Sequence, residues 1–361
     1  MTPLERKIRE LIETEGPIPL SRYFALCLGD PRHGYYAARD PLGAAGDFVT
    51  APEVSQIFGE LIGLWCVEVW RTMGAPKRLQ LVELGPGRGT LMADFLRAAK
   101  IAPEFLAALD LHLVETSPAL AARQGLTLQS SGRAPVWHTS TDTLPDSPLL
   151  AIANEFIDAL PIDQLVKTGD GWHQRRVGLR DGRLAFGLDP TPLPGIEASL
   201  SARLRPSPPG AILERRDLSP VRDIARRIAT QGGALLVIDY GHAETGFGDT
   251  FQAVRSHQYA DPLEQPGNAD LTAHVDFEAL AAAAQEQGAR AHGPLTQGVF
   301  LRRIGIELRA ESLKRGTDAV TAAGIDAAVT RLIGTAPGMG DLFKVLAVAH
   351  RDLPVPPGFD S

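Results

Sequence analysis

Apolar residues recur along this chain with two different periods. Leu79, Leu81, Val82 and Leu84 form a short, nearly continuous run, the pattern of a parallel strand buried on both faces. It gives way to Gly85, Gly87 and Gly89 and then to a helix-like segment over residues 90–99. Similar short runs at 109–115, 135–138, 149–153, 234–242, near 289–292 and at 343–350 predict six more strands, and hence a seven-stranded sheet. Helical spacing predicts helices over 2–15, 21–28, 53–73, 219–230 and 276–287; the third has Val54, Ile57, Phe58, Leu61, Ile62, Leu64, Trp65 and Val69 on a wide apolar face. Strands alternating with helices read as an α/β, doubly wound fold. β-like runs around Val166, over 172–179 and over 183–188 are separated by Gly-Asp-Gly and Arg-Asp-Gly, both hairpin signals. They predict an antiparallel meander inserted before the fifth strand. The polar stretch 250–277 is longer than an ordinary connection and reads as a lid or binding loop.

The turn after the first strand is the place for a small molecule. Its glycines let the backbone bend sharply and approach a ligand, and the free amides at the following helix start favour a negative group. The spacing selects among ligands. A dinucleotide fingerprint needs its third glycine three residues after the second, whereas Gly89 follows Gly87 by two. No Gly-Lys-Ser/Thr follows, which excludes a P-loop. Glu83 inside the strand, with the compact triplet Gly85, Gly87 and Gly89, resembles the first motif of class I S-adenosylmethionine (SAM) methyltransferases. A glycine turn serving only packing is the alternative.

Polar residues at later strand ends extend the pattern. Glu115 closes the second strand, where a carboxylate accepts both ribose hydroxyls of a nucleoside. Asp142, after the third strand, is within reach of an adenine edge by position. The fourth strand ends directly in Asn154, Glu155 and Asp158; Asn154 and Asp158 would also serve as capping or turn residues. Asp239, Tyr240 and His242 leave the fifth strand on the same edge.

Composition narrows the class. With 361 residues, 44% hydrophobic and 22% charged, the chain has the content of a folded protein able to bury one large or two modest cores. Cys27 and Cys66 lie in apolar segments without metal-like spacing, so they read as buried reduced thiols. His257, Asp270 and His274 also lack a ligand spacing, so no metal is expected. A start of M-T-P-L-E-R-K-I-R-E is neither signal nor transit peptide, and the apolar stretch 57–70 is broken by Glu60 and Glu68; a bacterial cytoplasm is expected, without membrane insertion. The net charge of −7 argues against a broad nucleic-acid surface.

Six blocks in order carry a specific resemblance: G-D-F-V-T-A-P-E-V-S-Q-I-F-G-E, V-E-L-G-P-G-R-G-T-L, V-E-T-S-P, N-E-F-I-D-A-L-P, D-Y-G-H and N-A-D-L-T-A-H-V-D-F. From about residue 15 to 350 the chain resembles the MidA-like family of SAM-dependent protein arginine methyltransferases, related to the mitochondrial complex I assembly factor. It departs from the usual pattern at Ala51, where the family has serine. The resemblance implies a class I, Rossmann-like domain over 76–361 with an insertion at about 163–215 forming part of the substrate site, and an N-terminal helical region, 1–75, contributing to that site. It implies SAM as cofactor, held by Glu83, the three glycines, Glu115, Asp142, Asn154 and, in the first block, Asp47 and Thr50. It also implies a protein substrate, in the mitochondrial relatives a core subunit of respiratory complex I, with symmetric dimethylarginine as product; a homodimer is compatible with it.

The residues suit that chemistry. A guanidinium has a pKa above about 12 and is a poor nucleophile, so its methylation calls for carboxylates that orient it, localise its charge and accept a proton. Glu155 is the residue expected to grip it, with Asp158 assisting and Asp239 or His242 lining the same pocket. Two other readings stand beside this one: a small-molecule methyltransferase with the same SAM site, and a SAM-binding assembly factor that acts by holding a respiratory subunit.

Overall fold

A computed structural model of the chain describes residues 1–38 and 49–360. Its centre is a sheet built from β1 (Leu79–Leu84), β2 (Leu109–Val114), β3 (Val136–His138), β4 (Leu149–Asn154), β5 (Gly233–His242), β6 (Val275–Asp276), β7 (Arg290–Thr296) and β8 (Phe343–Ala349). Seven of these run in the order β3–β2–β1–β4–β5–β8–β7, and β6 pairs with β5 off that path. The count is therefore eight where the hydrophobic runs predict seven. The additional strand is two residues long, Val275 and Asp276 pairing with Gly241 and His242, too short to leave a periodic signal. β3, β2, β1, β4 and β5 are parallel; β8 is antiparallel to both β5 and β7.

The unbroken apolar runs of β1, β4 and β5 follow from burial on both faces. Leu81, Ile152 and Leu236 point into one core, with the helices Gln56–Thr72 and Thr90–Ala98. Val82, Ala151 and Val237 point into the other, with Ser219–Gln231 and Phe277–Gln285. The helix at the glycine turn is seated closely: a Cβ on Gly59 or Gly63 would come within 2.8 and 2.9 Å of the carbonyl oxygens of Leu91 and Phe95. The single helix predicted over 53–73 is divided into Ala51–Val54 and Gln56–Thr72. Ser55 is extended and its hydroxyl accepts the N–H of Ile57, so a serine cap starts a second helix where the apolar period alone runs through.

The insertion forms a second, antiparallel sheet from Ile162–Lys167, Trp172–Arg180, Arg183–Leu188 and Ile212–Arg216, joined by the N-terminal strand Ile18–Pro19. The N-terminal helices Pro3–Glu15 and Leu20–Gly29 pack on it. The predicted lid, 250–277, instead folds into a three-stranded sheet that buries Phe251, Ala253 and Leu271 against those helices. It is tied there by the Tyr23 hydroxyl donating to the Pro262 carbonyl at 2.6 Å.

Candidate functional site

The order of the sheet reverses between β1 and β4, and open α/β sheets bind ligands at the carboxyl ends of the strands at such a point. A cleft of about 720 Å³ lies there, with walls from the glycine turn, the end of β2, the loop after β4 and the N-terminal region. Gly85, Gly87 and Gly89 have φ of 63°, 54° and 82°, the left-handed region that glycine enters without steric cost. A Cβ on Gly85 would lie 2.8 Å from Phe156 Cδ2. Gly85 and Gly87 line the cleft, while Gly89 is the N-cap of the helix Thr90–Ala98.

Glu83 reaches the cleft from inside β1. Its Oε2 is buried without a partner, and burial pushes its carboxyl up to about 8. Glu115 sits one residue past β2: Oε1 accepts the Ser117 N–H at 2.8 Å and Oε2 the Gln124 amide at 3.0 Å. Burial raises its pKa, against the pull of those donors. Asp142 lies at an exposed edge of the cleft and accepts from the Ser140 hydroxyl. Asn154 lines the cleft with a buried, unpartnered Oδ1. Thr50 lines it too, whereas Asp47 lies outside the described residues.

Glu155 is held in an unusual conformation. Its φ is 49°, uncommon for a residue with a Cβ and of the kind that clusters at functional sites. Its Oε1 accepts the Ala51 N–H at 3.0 Å and the Asn154 amide at 3.3 Å. Burial lifts the carboxyl to about 8, and the neighbouring Asp158 carboxylate adds to that. The residue that would be serine in the resembled family thus contributes its backbone, which alanine also supplies.

The four residues expected to act on a substrate do not share one pocket. Only Glu155 lines the cleft. Asp158 is 6% exposed, one layer behind; its Oδ2 accepts the Tyr240 hydroxyl at 2.6 Å and its Oδ1 is buried without a partner. Asp239 is fully buried and its carboxylate faces the backbone: Oδ2 accepts the N–H groups of Ile157 and Asp158, and Oδ1 that of Tyr240. Its geometry is that of a brace. His242 opens into a second cavity of about 740 Å³ beyond the loop, its Nε2 3.9 Å from Asp276 Oδ2.

Several site residues carry no strong sequence signal. Arg216, from the inserted sheet, donates to the carbonyls of Leu160 and Ala273 at 3.1 and 2.7 Å, holding the far end of the same loop. Glu53 lines the cleft and accepts the Thr90 hydroxyl at 2.6 Å; in sequence it is marked only by its place in the first block. Tyr36, from the N-terminal region, also lines the cleft, and its carbonyl accepts the Ser117 hydroxyl at 3.1 Å.

The cleft fits an adenosyl amino acid. Such a ligand carries an ammonium and ribose hydroxyls as donors; the unpartnered acceptors of Glu83 and Asn154 and the oriented carboxylate of Glu115 are the complementary groups. Glycines without Cβ atoms leave room for close approach.

Comparison with known proteins agrees with that fit. A model of S-adenosyl-L-methionine-dependent methyltransferases matches residues 61–295. The human protein arginine methyltransferase NDUFAF7, mitochondrial, is 37% identical, with 87% of this chain and 76% of that protein covered. Its Drosophila melanogaster homologue is 37% identical, covering 86% and 76%. The crystal structure of a COG1565 superfamily member from Burkholderia thailandensis bound to S-adenosyl-homocysteine superposes with a TM-score of 0.84 at 30% identity, covering 99% of this chain and 92% of that one. The chain belongs to the S-adenosyl-L-methionine-dependent methyltransferase family.

Proposed function

We propose that this enzyme transfers the methyl group of SAM to a guanidinium nitrogen of an arginine in a protein substrate. The observation that carries the reading is Glu155: a buried carboxyl, fixed by Ala51 and Asn154, in the same cleft as the SAM glycine turn. The relatives named protein arginine methyltransferases support it. SAM supplies an electrophilic methyl on a sulfonium that leaves as the neutral thioether. The chain's own part is to hold the acceptor nitrogen in line with that carbon. Glu155 takes two guanidinium N–H groups, concentrates the positive charge on the far side of the group and receives the proton released as the C–N bond forms. An arriving guanidinium favours the ionised carboxylate, offsetting the burial that keeps it protonated in the free enzyme. Asp158, behind Glu155, adds negative potential at the same point.

The reading extends to the substrate walls. Ala25, Leu28, Tyr36, Thr50 and Glu53 line the cleft, which supports a part for the region 1–75, and Arg216, ending the last strand of the inserted sheet one residue past the insertion expected at about 163–215, ties that sheet to the active loop. The six sequence blocks support a core subunit of respiratory complex I as partner and symmetric dimethylarginine as product; the buried free thiols of Cys27 and Cys66 support a reducing compartment such as a bacterial cytoplasm, and a homodimer is an assembly to be tested by light scattering.

The test is to incubate the enzyme with methyl-labelled SAM and extract from cells lacking it, then map label by mass spectrometry. Label on arginine of a protein, lost with Glu155→Gln, is the expected result. Label confined to small molecules would favour a metabolite methyltransferase. Absence of transfer by a protein that binds SAM would favour an assembly factor.

A further inference from the structure

We infer that Gln124 is a positioning residue for SAM, locking the middle glycine of the turn and the ribose carboxylate Glu115 into one frame. Gln124 lies on the helix Pro118–Leu128 and is fully buried. Both of its amide hydrogens are directed at the site's framework. Its Nε2 donates to the Gly87 carbonyl at 2.8 Å and to Glu115 Oε2 at 3.0 Å. Its Oε1 accepts the Trp137 indole N–H at 2.9 Å. That third bond fixes which end of the amide faces the cleft, because indole nitrogen is a donor only. The two hydrogens of Nε2 are therefore both turned toward acceptors that belong to the SAM site.

The consequence follows from geometry. Gly87 stands in the turn, where a ligand's amino-acid end is received, and Glu115 stands past β2, where its ribose is received. The two come from different strand ends, and among the described residues only Gln124 bonds to both. Glu115 has its other oxygen held by Ser117 N–H, so both carboxylate oxygens are oriented before a ribose arrives, each with acceptor capacity left over. Preorganisation of this kind removes an ordering cost from binding. Gly89 lies beside the same residue: a Cβ there would stand at ordinary contact distance, 3.5 Å from Gln124 Cα and 3.6 Å from its Cγ, so the turn and the helix Pro118–Leu128 are neighbours at this point.

The experiment is calorimetric SAM binding to the whole chain as Gln124→Met, which keeps the length of the side chain and removes its hydrogen bonds, at several pH values. Affinity is expected to fall about tenfold at pH 8. Gln124 is one of the donors that favour the ionised form of Glu115, with the N–H groups of Ser117 and Thr116; among the described residues Tyr36 is charge-coupled to it, and Glu83, Arg88 and Asp142 line the same cleft. Without the glutamine the carboxylate protonates at higher pH, so the deficit is expected to widen toward about thirtyfold at pH 5.5. Binding within twofold of the unsubstituted protein, or a deficit of the same factor at every pH, overturns the inference. If Gln124→Met does not fold, Trp137→Phe gives the answer. It leaves both Nε2 donations possible but frees the amide to rotate, and an affinity about threefold lower is expected; unchanged affinity overturns the inference.

Discussion

Asp239 holds Asp158 by its backbone: Asp239 Oδ2 accepts the Asp158 N–H at 3.1 Å, with the Ile157 N–H on the same oxygen at 3.0 Å. The end of β5 thereby fixes the loop that carries Glu155, across 81 residues of sequence. Because the other oxygen accepts the Tyr240 N–H, an amide at this position must point its own NH₂ at an N–H donor. Asp239→Asn is expected to lower unfolding stability by about 1–3 kcal/mol in urea titration and to slow methyl transfer without abolishing SAM binding. A variant as stable as the parent would show that the carboxylate is dispensable as a brace.

Glu155 is expected to separate binding from chemistry. Its contacts are with Ala51 and Asn154, and a glutamine preserves the acceptor that meets the Ala51 N–H. Calorimetry on Glu155→Gln should give SAM affinity within about threefold of the parent, while arginine methylation falls by about 10²–10⁴. Unimpaired turnover on a verified protein substrate would remove Glu155 from the mechanism.

The pH dependence of activity tests the same carboxyl. With burial holding its pKa at about 8 in the free enzyme, kcat/KM for the guanidinium substrate should rise with pH and level off above about 8. A flat profile between pH 6 and 9 contradicts an ionised Glu155 as the binding form.

Stability should move in the opposite direction with pH. Glu83 and Glu155 both bind a proton more tightly folded, at about 8, than the ordinary carboxylate value of 4.5. The folded state is thus favoured by protonation: this contribution is fully present below about pH 4.5 and is lost as pH rises through about 8. Glu155→Gln removes one titrating group. Its stability relative to the parent should grow by about 1–3 kcal/mol between pH 5 and pH 8, and denaturant midpoints across that range that stay parallel would disprove the assignment.

Gly85→Ala tests the cradle. The substitution places a Cβ 2.8 Å from Phe156 Cδ2 on a backbone with φ of 63°, costing about 1–2 kcal/mol from the left-handed conformation alone and displacing Phe156 into the cleft. Thermal melts should drop, and the stabilisation that added SAM gives the parent should shrink. A full SAM-induced shift in the variant would mean the turn tolerates a side chain.

What the sequence by itself determined is the set of features written in neighbouring residues. The run of β1, the glycines that enter left-handed conformations and the helix behind them are local, and the alternation of strands and helices places Glu83, Glu115, Asn154 and Glu155 at the carboxyl ends of adjacent strands. Tertiary structure decided which way each polar group turns. Asp239 lies near the carboxyl end of its strand much as Glu155 lies at the end of β4, yet it faces N–H groups supplied from a distant loop, and His242, three residues later, enters another cavity. Gln124 has no pattern at all in sequence; it matters because a helix crossing brings Gly87, Glu115 and Trp137 around one amide. The polar stretch 250–277 reads as a lid until its few apolar residues find the N-terminal helices. Backbone preference is a property of short segments, whereas the partner of a buried polar group is chosen by whatever the fold brings within about 3 Å of it.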